Sequence, residues 1–131
     1  MREALKSVTP PINVHVAQDG AQALQFLRRQ GEHSSAPTPA LVFLDFNLPG
    51  TNSRDVLREM KLDNELRSIA VAVLTTSDVE QDVREAYELY ANCYLCKPPD
   101  LDRFLATIQM TAHFWLNVAR LPIEGNLRPV D

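Results

Sequence analysis

Three short apolar runs, each leading to a reactive polar side chain, constrain this chain more than anything else in it. Ala40-Leu41-Val42-Phe43-Leu44 leads to Asp45, Val71-Ala72-Val73-Leu74 to Thr75, and Cys93-Tyr94-Leu95-Cys96 to Lys97. Runs that are apolar throughout, rather than alternating, fit strands covered by helices on both faces of a parallel sheet. Between and around them the apolar residues fall at helical spacing. The reading is a helix after Asp19-Gly20 to about Arg29 with Ala23, Leu24 and Leu27 inward, and a second over Ser53 to about Leu62 with Val56, Leu57 and Met60 inward. A third runs from Asp78 to Tyr90 with Val83, Ala86, Tyr87 and Tyr90 inward, and a long last helix from Leu101 to Arg120 stops before Pro122.

Further strand and turn signals fill the rest. Asn13-Val14-His15-Val16-Ala17 alternates as a short strand after Pro10-Pro11, and residues 30–39 form a polar loop punctuated by Gly and Pro. Residues 2–7 read as the end of a helix that has no start. Alternation of strand and helix gives an α/β, doubly wound parallel sheet.

At 131 residues the chain makes one domain, taken as residues 1–122 with a loose tail at 123–131. Net charge is −4 without blocks of like charge, which argues against a nucleic-acid surface. No apolar stretch reaches the ~20 residues needed to span a bilayer. With no signal-like start either, the expected location is the cytoplasm. Cys93 and Cys96 have C-x-x-C spacing, but residues three apart on a strand face opposite sides, so two buried or half-buried thiols are expected.

In a parallel sheet, ligands bind beyond the carboxyl ends of the strands. Asp45, Thr75 and Lys97 are therefore expected to meet in one crevice, where a carboxylate, a hydroxyl and an ammonium can accept, cradle and neutralise a phosphoryl group. The motifs Leu44-Asp45-Phe46-Asn47-Leu48-Pro49, Val73-Leu74-Thr75-Thr76-Ser77 and Lys97-Pro98, in this order and spacing, resemble those of response-regulator receiver domains, the chemotaxis-regulator-like modules of two-component signalling.

The resemblance implies a flavodoxin-like fold with strand order 2-1-3-4-5, and a non-enzymatic switch that takes its phosphoryl group from a sensor histidine kinase. Asp45 would be the phosphoacceptor, Thr75 and Lys97 would contact the phosphoryl oxygens, and Asn47 would offer its backbone carbonyl, with Asp45, to Mg²⁺. Thr75 and Tyr94 would form the switch, and Thr76 would border the phosphate. The loop at 30–39, Ala91–Tyr94 and Phe114-Trp115 with Leu121-Pro122 are similar to the stand-alone receivers that partner phytochrome-type kinases. On the last helix, Phe104, Leu105, Ile108, Ala112, Trp115 and Ala119 make an inward stripe. Met110, Phe114, Val118 and Leu121 make a second one, expected to face a partner in a homodimer.

Two departures stand out. Receivers begin with a central strand that ends in Mg²⁺-binding acids, and this sequence opens after that point with Glu3 as its only early acid. The expectation is an N-terminally shortened receiver that lacks the first strand and has an incomplete metal site. The alternative is a pseudo-receiver, a binding module that works without phosphorylation. Ser53 stands where receivers commonly carry Gly, with Gly50 nearby. A phosphohydrolase of the haloacid dehalogenase type would need a second Asp where Asn47 stands.

Overall fold

The three apolar runs form one parallel sheet in a computed structural model that describes residues 12–47 and 52–122. Strands β1 (Leu41–Asp45), β2 (Ala70–Thr75) and β3 (Cys93–Cys96) lie in the order β1-β2-β3. Leu41 pairs with Ala70 and Asp45 with Leu74, while Ala72 pairs with Cys93 and Thr75 with Cys96. This is the run of the last three strands in the order 2-1-3-4-5. Around it are α1 (Gly20–Leu27), α2 (Ser53–Leu62), α3 (Glu80–Glu88) and α4 (Leu101–His113). The expected helix at residues 2–7, Glu3, Leu48, Pro49, Gly50 and the tail 123–131 lie outside the described residues.

The continuous apolar character of the strands has a direct cause: each serves two cores. Val71 and Val73 face a cluster with Leu27, Val56, Leu57, Met60 and Ala86, which belongs to α1, α2 and α3. Leu74, one residue on, faces Ile108 and Ala112 of α4, with Phe43 and Leu95 from the flanking strands. Leu57, Met60, Ile69, Leu74 and Ile108 are among the largest fully buried side chains. Each such residue is worth about 1.5–3 kcal/mol relative to exposure.

Helix ends follow local chemistry. Asp19 caps α1 by accepting from the Gln22 amide at 2.8 Å, and Asp100 caps α4 by accepting from Asp102 at 2.8 Å. The β2–β3 register is pinned from below by Asn92. Its side-chain oxygen accepts from the Val71 amide at 2.8 Å and its own amide donates to the Val71 carbonyl at 2.9 Å. Lys61 Nζ reaches the same corner, donating to the carbonyls of Ile69 at 2.9 Å and Arg67 at 3.1 Å and to Asn92 Oδ1 at 3.3 Å. Burial pushes the Lys61 ammonium below its ordinary 10.5.

Four expectations are corrected. Among the described residues 13–17 is not part of the three-stranded sheet, and Ile12 and Val14 pack on the α4 side against Leu74 and Ile108. Tyr87 and Tyr90 are not inward: Tyr90 lies past the end of α3 with φ 69° and is 74% exposed, and Leu89 packs in its place. Cys96 is exposed rather than buried, while Cys93 is half-buried and both thiols are free. The last helix is not α-helical to Arg120. A π-turn over Phe114–Val118 closes with Ala119 N–H on the Phe114 carbonyl at 2.7 Å, and Ala119 is extended. Of its inward stripe, Ile108 and Ala112 are fully buried with Phe104 and Leu105 packed against them, Leu116 joins this core, and Trp115 and Ala119 are half-buried. Of the second stripe, Met110, Phe114 and Val118 are exposed and Leu121 is half-buried.

Candidate functional site

The register brings the three predicted residues to one edge. Asp45 and Thr75 are the last residues of β1 and β2, and Lys97 follows the last residue of β3. Backbone bonds from Phe46 N–H to the Leu74 carbonyl (2.8 Å) and from Lys97 N–H to the Thr75 carbonyl (2.7 Å) carry the ladder one step past each strand. This fixes where the side chains emerge.

Asp45 and Lys97 meet directly. Lys97 Nζ donates to Asp45 Oδ2 at 2.6 Å, and each side chain keeps only 22% of its surface exposed. Asp45 Oδ1 accepts the Asn47 amide at 2.8 Å. Asn47 Oδ1 in turn accepts the Thr76 amide at 2.7 Å, which ties the turn after β1 to the turn after β2. Thr75 is buried at the same edge, its Oγ1 accepting the Ser77 amide at 3.1 Å, which leaves the hydroxyl proton free to turn toward an incoming oxygen. Tyr94 is half-buried against the larger core and donates its hydroxyl to the Ser77 carbonyl at 2.7 Å. Thr75 and Tyr94, expected to work together, are thus joined through Ser77. Chemically the arrangement offers a carboxylate oxygen nucleophile, one cation in contact with it, and a cradle of backbone and hydroxyl donors around it.

Sequence reasoning missed three features. The Asn47 side chain, not only its backbone, is used. Ser53 Oγ donates to the Asp45 carbonyl at 2.7 Å. Arg54 stacks its guanidinium 4.8 Å from the centre of the Phe46 ring and pairs with Glu85 of α3. The signal for Ser53 was present as a polar residue in a Gly-favouring position; the Arg54 contacts join residues far apart in sequence and left no local trace.

The described residues do not fit Mg²⁺. They contain no group of three or more His, Cys, Asp or Glu side chains that could hold a metal ion. Both oxygens of the Asp45 carboxylate are engaged, by Lys97 and by the Asn47 amide. A hard dication prefers several oxygen ligands.

Comparison with known proteins agrees with this geometry. The family model described as the response regulator receiver domain matches residues 1–109, and the chain belongs to that family, with its flavodoxin-like parallel sheet and alternating helices. It is similar to the response regulator Rcp1 of Synechocystis sp., at 42% identity over 122 residues that cover 93% of this chain and 83% of Rcp1. Among solved structures it is similar to the phosphorylated cyanobacterial phytochrome response regulator RcpA. The TM-score is 0.88 at 40% identity, covering 93% of this chain and 87% of that one. The Mn(2+)-bound form of Rcp1 is also similar, with a TM-score of 0.84 at 42% identity, covering 93% and 88%.

Proposed function

We propose that this response-regulator receiver works as a phosphoryl-accepting switch rather than as an enzyme. In the reaction, an Asp45 carboxylate oxygen attacks the phosphorus of a sensor-kinase phosphohistidine whose other ring nitrogen carries a proton, the P–N bond breaks with its electron pair going to the ring, and neutral imidazole leaves. The product is an aspartyl phosphate. Lys97 stays beside the carboxylate and offsets the charge that the phosphoryl group brings, and the Thr75 hydroxyl turns to donate to one of its oxygens. That turn disturbs Ser77, and through it the hydroxyl of Tyr94. No step is routed through a metal ion.

The observation that carries this reading is the 2.6 Å contact between Lys97 Nζ and Asp45 Oδ2 at the carboxyl edge of a parallel sheet. The similarity to Rcp1 and RcpA supports a phytochrome-type histidine kinase as the donor. We place this exchange in the cytoplasm; no helix of the described residues is long and apolar enough to cross a membrane. The exposed side chains of Met110, Phe114 and Val118 form the face through which two copies pair. The test is transfer of labelled phosphate from an autophosphorylated kinase of this type. Label should appear on the chain within minutes and be absent from Asp45→Asn; label retained by that variant refutes the assignment.

A further inference from the structure

The peptide that joins the phosphoacceptor to the next residue is held in an unusual way. In a trans peptide the C=O and the N–H point in opposite directions. The Phe46 N–H points at β2, where it donates to the Leu74 carbonyl at 2.8 Å, so the Asp45 carbonyl faces away from β2, toward the outer edge of β1. Among the described residues no strand stands there. The donor that meets this carbonyl is Ser53 Oγ at 2.7 Å, from the first residue of α2, and Ser53 is only 4% exposed. Water therefore has little room to replace it. Beside it Arg54 covers the Phe46 ring at 4.8 Å and reaches Glu85 on α3.

We propose that Ser53 is a positioning residue for the phosphoacceptor: its hydroxyl grips the Asp45 carbonyl and so fixes the direction in which the Asp45 carboxylate is presented. The grip restrains rotation about the Cα–C bond of Asp45, and the carboxylate hangs from that same Cα. With that rotation fixed, Oδ2 meets Lys97 and Oδ1 meets the Asn47 amide. A glycine at position 53 has no atom to make this bond. Arg54 extends the restraint, because the Phe46 ring it covers belongs to the other half of the same peptide and its partner Glu85 sits on the helix that follows Thr75.

This inference rests on the proposed role of Asp45, so its test carries one readout that needs phosphorylation and one that does not. The variants are Ser53→Ala, which removes the hydroxyl, and Ser53→Thr, which keeps it. The first readout is the rate of phosphoryl uptake from acetyl phosphate as donor concentration is raised. The second is hydrogen exchange of the Asn47 amide, with the β2 amides of Val71 and Val73 as internal reference.

Expected for S53A is a maximal uptake rate lower by about 3- to 10-fold, the scale of one hydrogen bond. The donor concentration at half-maximum should stay unchanged, and S53T should return to within about twofold of the parent. If the parent chain takes up phosphoryl and S53A matches it, the positioning role is overturned. If the parent takes up none, the proposed function has failed instead, and exchange decides the matter. Faster Asn47 exchange in S53A alone, at constant β2 exchange, supports the grip; equal exchange in all three overturns it.

Discussion

Replacing Lys97 by Met keeps most of the apolar stem and removes the ammonium, with its charge and its hydrogen bond to Asp45. The gross Coulomb attraction at 2.6 Å is about 6 kcal/mol at an effective dielectric of ~20. Desolvation of both groups takes back most of it. With both side chains 22% exposed, the pair lies between fully exposed pairs, worth ~0–1 kcal/mol, and buried ones, where losing a partner costs ~3–5. We expect K97M to lose about 1–2 kcal/mol in urea unfolding. Phosphoryl uptake should fall much further, by about 10²–10³-fold, because a preorganised charge beside the reacting oxygens is worth ~3–4 kcal/mol in the transition state. The assay is uptake from acetyl phosphate under conditions where both proteins are more than nine-tenths folded. A K97M protein that loses stability as expected yet takes up phosphoryl within threefold of the parent refutes the role given to Lys97.

Three further outcomes follow from the geometry. Lys61→Met leaves the Ile69 carbonyl without its donor and should cost about 1–2 kcal/mol. Because burial holds the Lys61 ammonium below 10.5 in the folded state, the unfolded chain binds more protons just below that pH, so stability rises as pH approaches 10.5 from below. K61M should flatten that slope in alkaline urea titrations. Burial raises the Cys93 thiol, with a weaker opposing effect from a hydrogen bond involving Trp115, whereas Cys96 is exposed. Iodoacetamide at pH 8 should therefore label Cys96 at least about tenfold faster, read by peptide mass. Phe114→Glu combined with Val118→Glu should convert a dimer to a monomer in light scattering, and a parent chain that is already monomeric removes that face from the account.

The sheet was legible because its strands carry their own signature: apolar runs with no polar interruption, as two-sided burial demands. Ser53–Leu62 and Cys93–Cys96 fall where periodicity and composition put them. The stretch 13–17 falls outside the three-stranded sheet of the described residues, because alternation records which side chains are buried and not which backbone groups pair. Tyr90 was misread because a helical stripe was carried past the point where the chain turns into the left-handed region, and Tyr87, inside α3, stays 47% exposed next to the buried Ala86. At the site, Asp45, Thr75 and Lys97 could be placed because each stands at, or one residue past, the end of a strand. The contacts that orient them, Asn47 to Thr76, Ser53 to the Asp45 carbonyl and Arg54 to Phe46 and Glu85, depend on side-chain direction across different elements. Spacing along the chain does not encode that.

The central claim is that Asp45 of this chain takes a phosphoryl group, and intact mass spectrometry after incubation with acetyl phosphate tests it most directly. The parent should gain the mass of one phosphoryl group, and Asp45→Asn, shown folded by circular dichroism, should gain none. Running both with and without Mg²⁺ shows whether residues beyond the described edge supply metal ligands. A folded parent that gains no mass under either condition contradicts the account and leaves a receiver that binds partners without being phosphorylated.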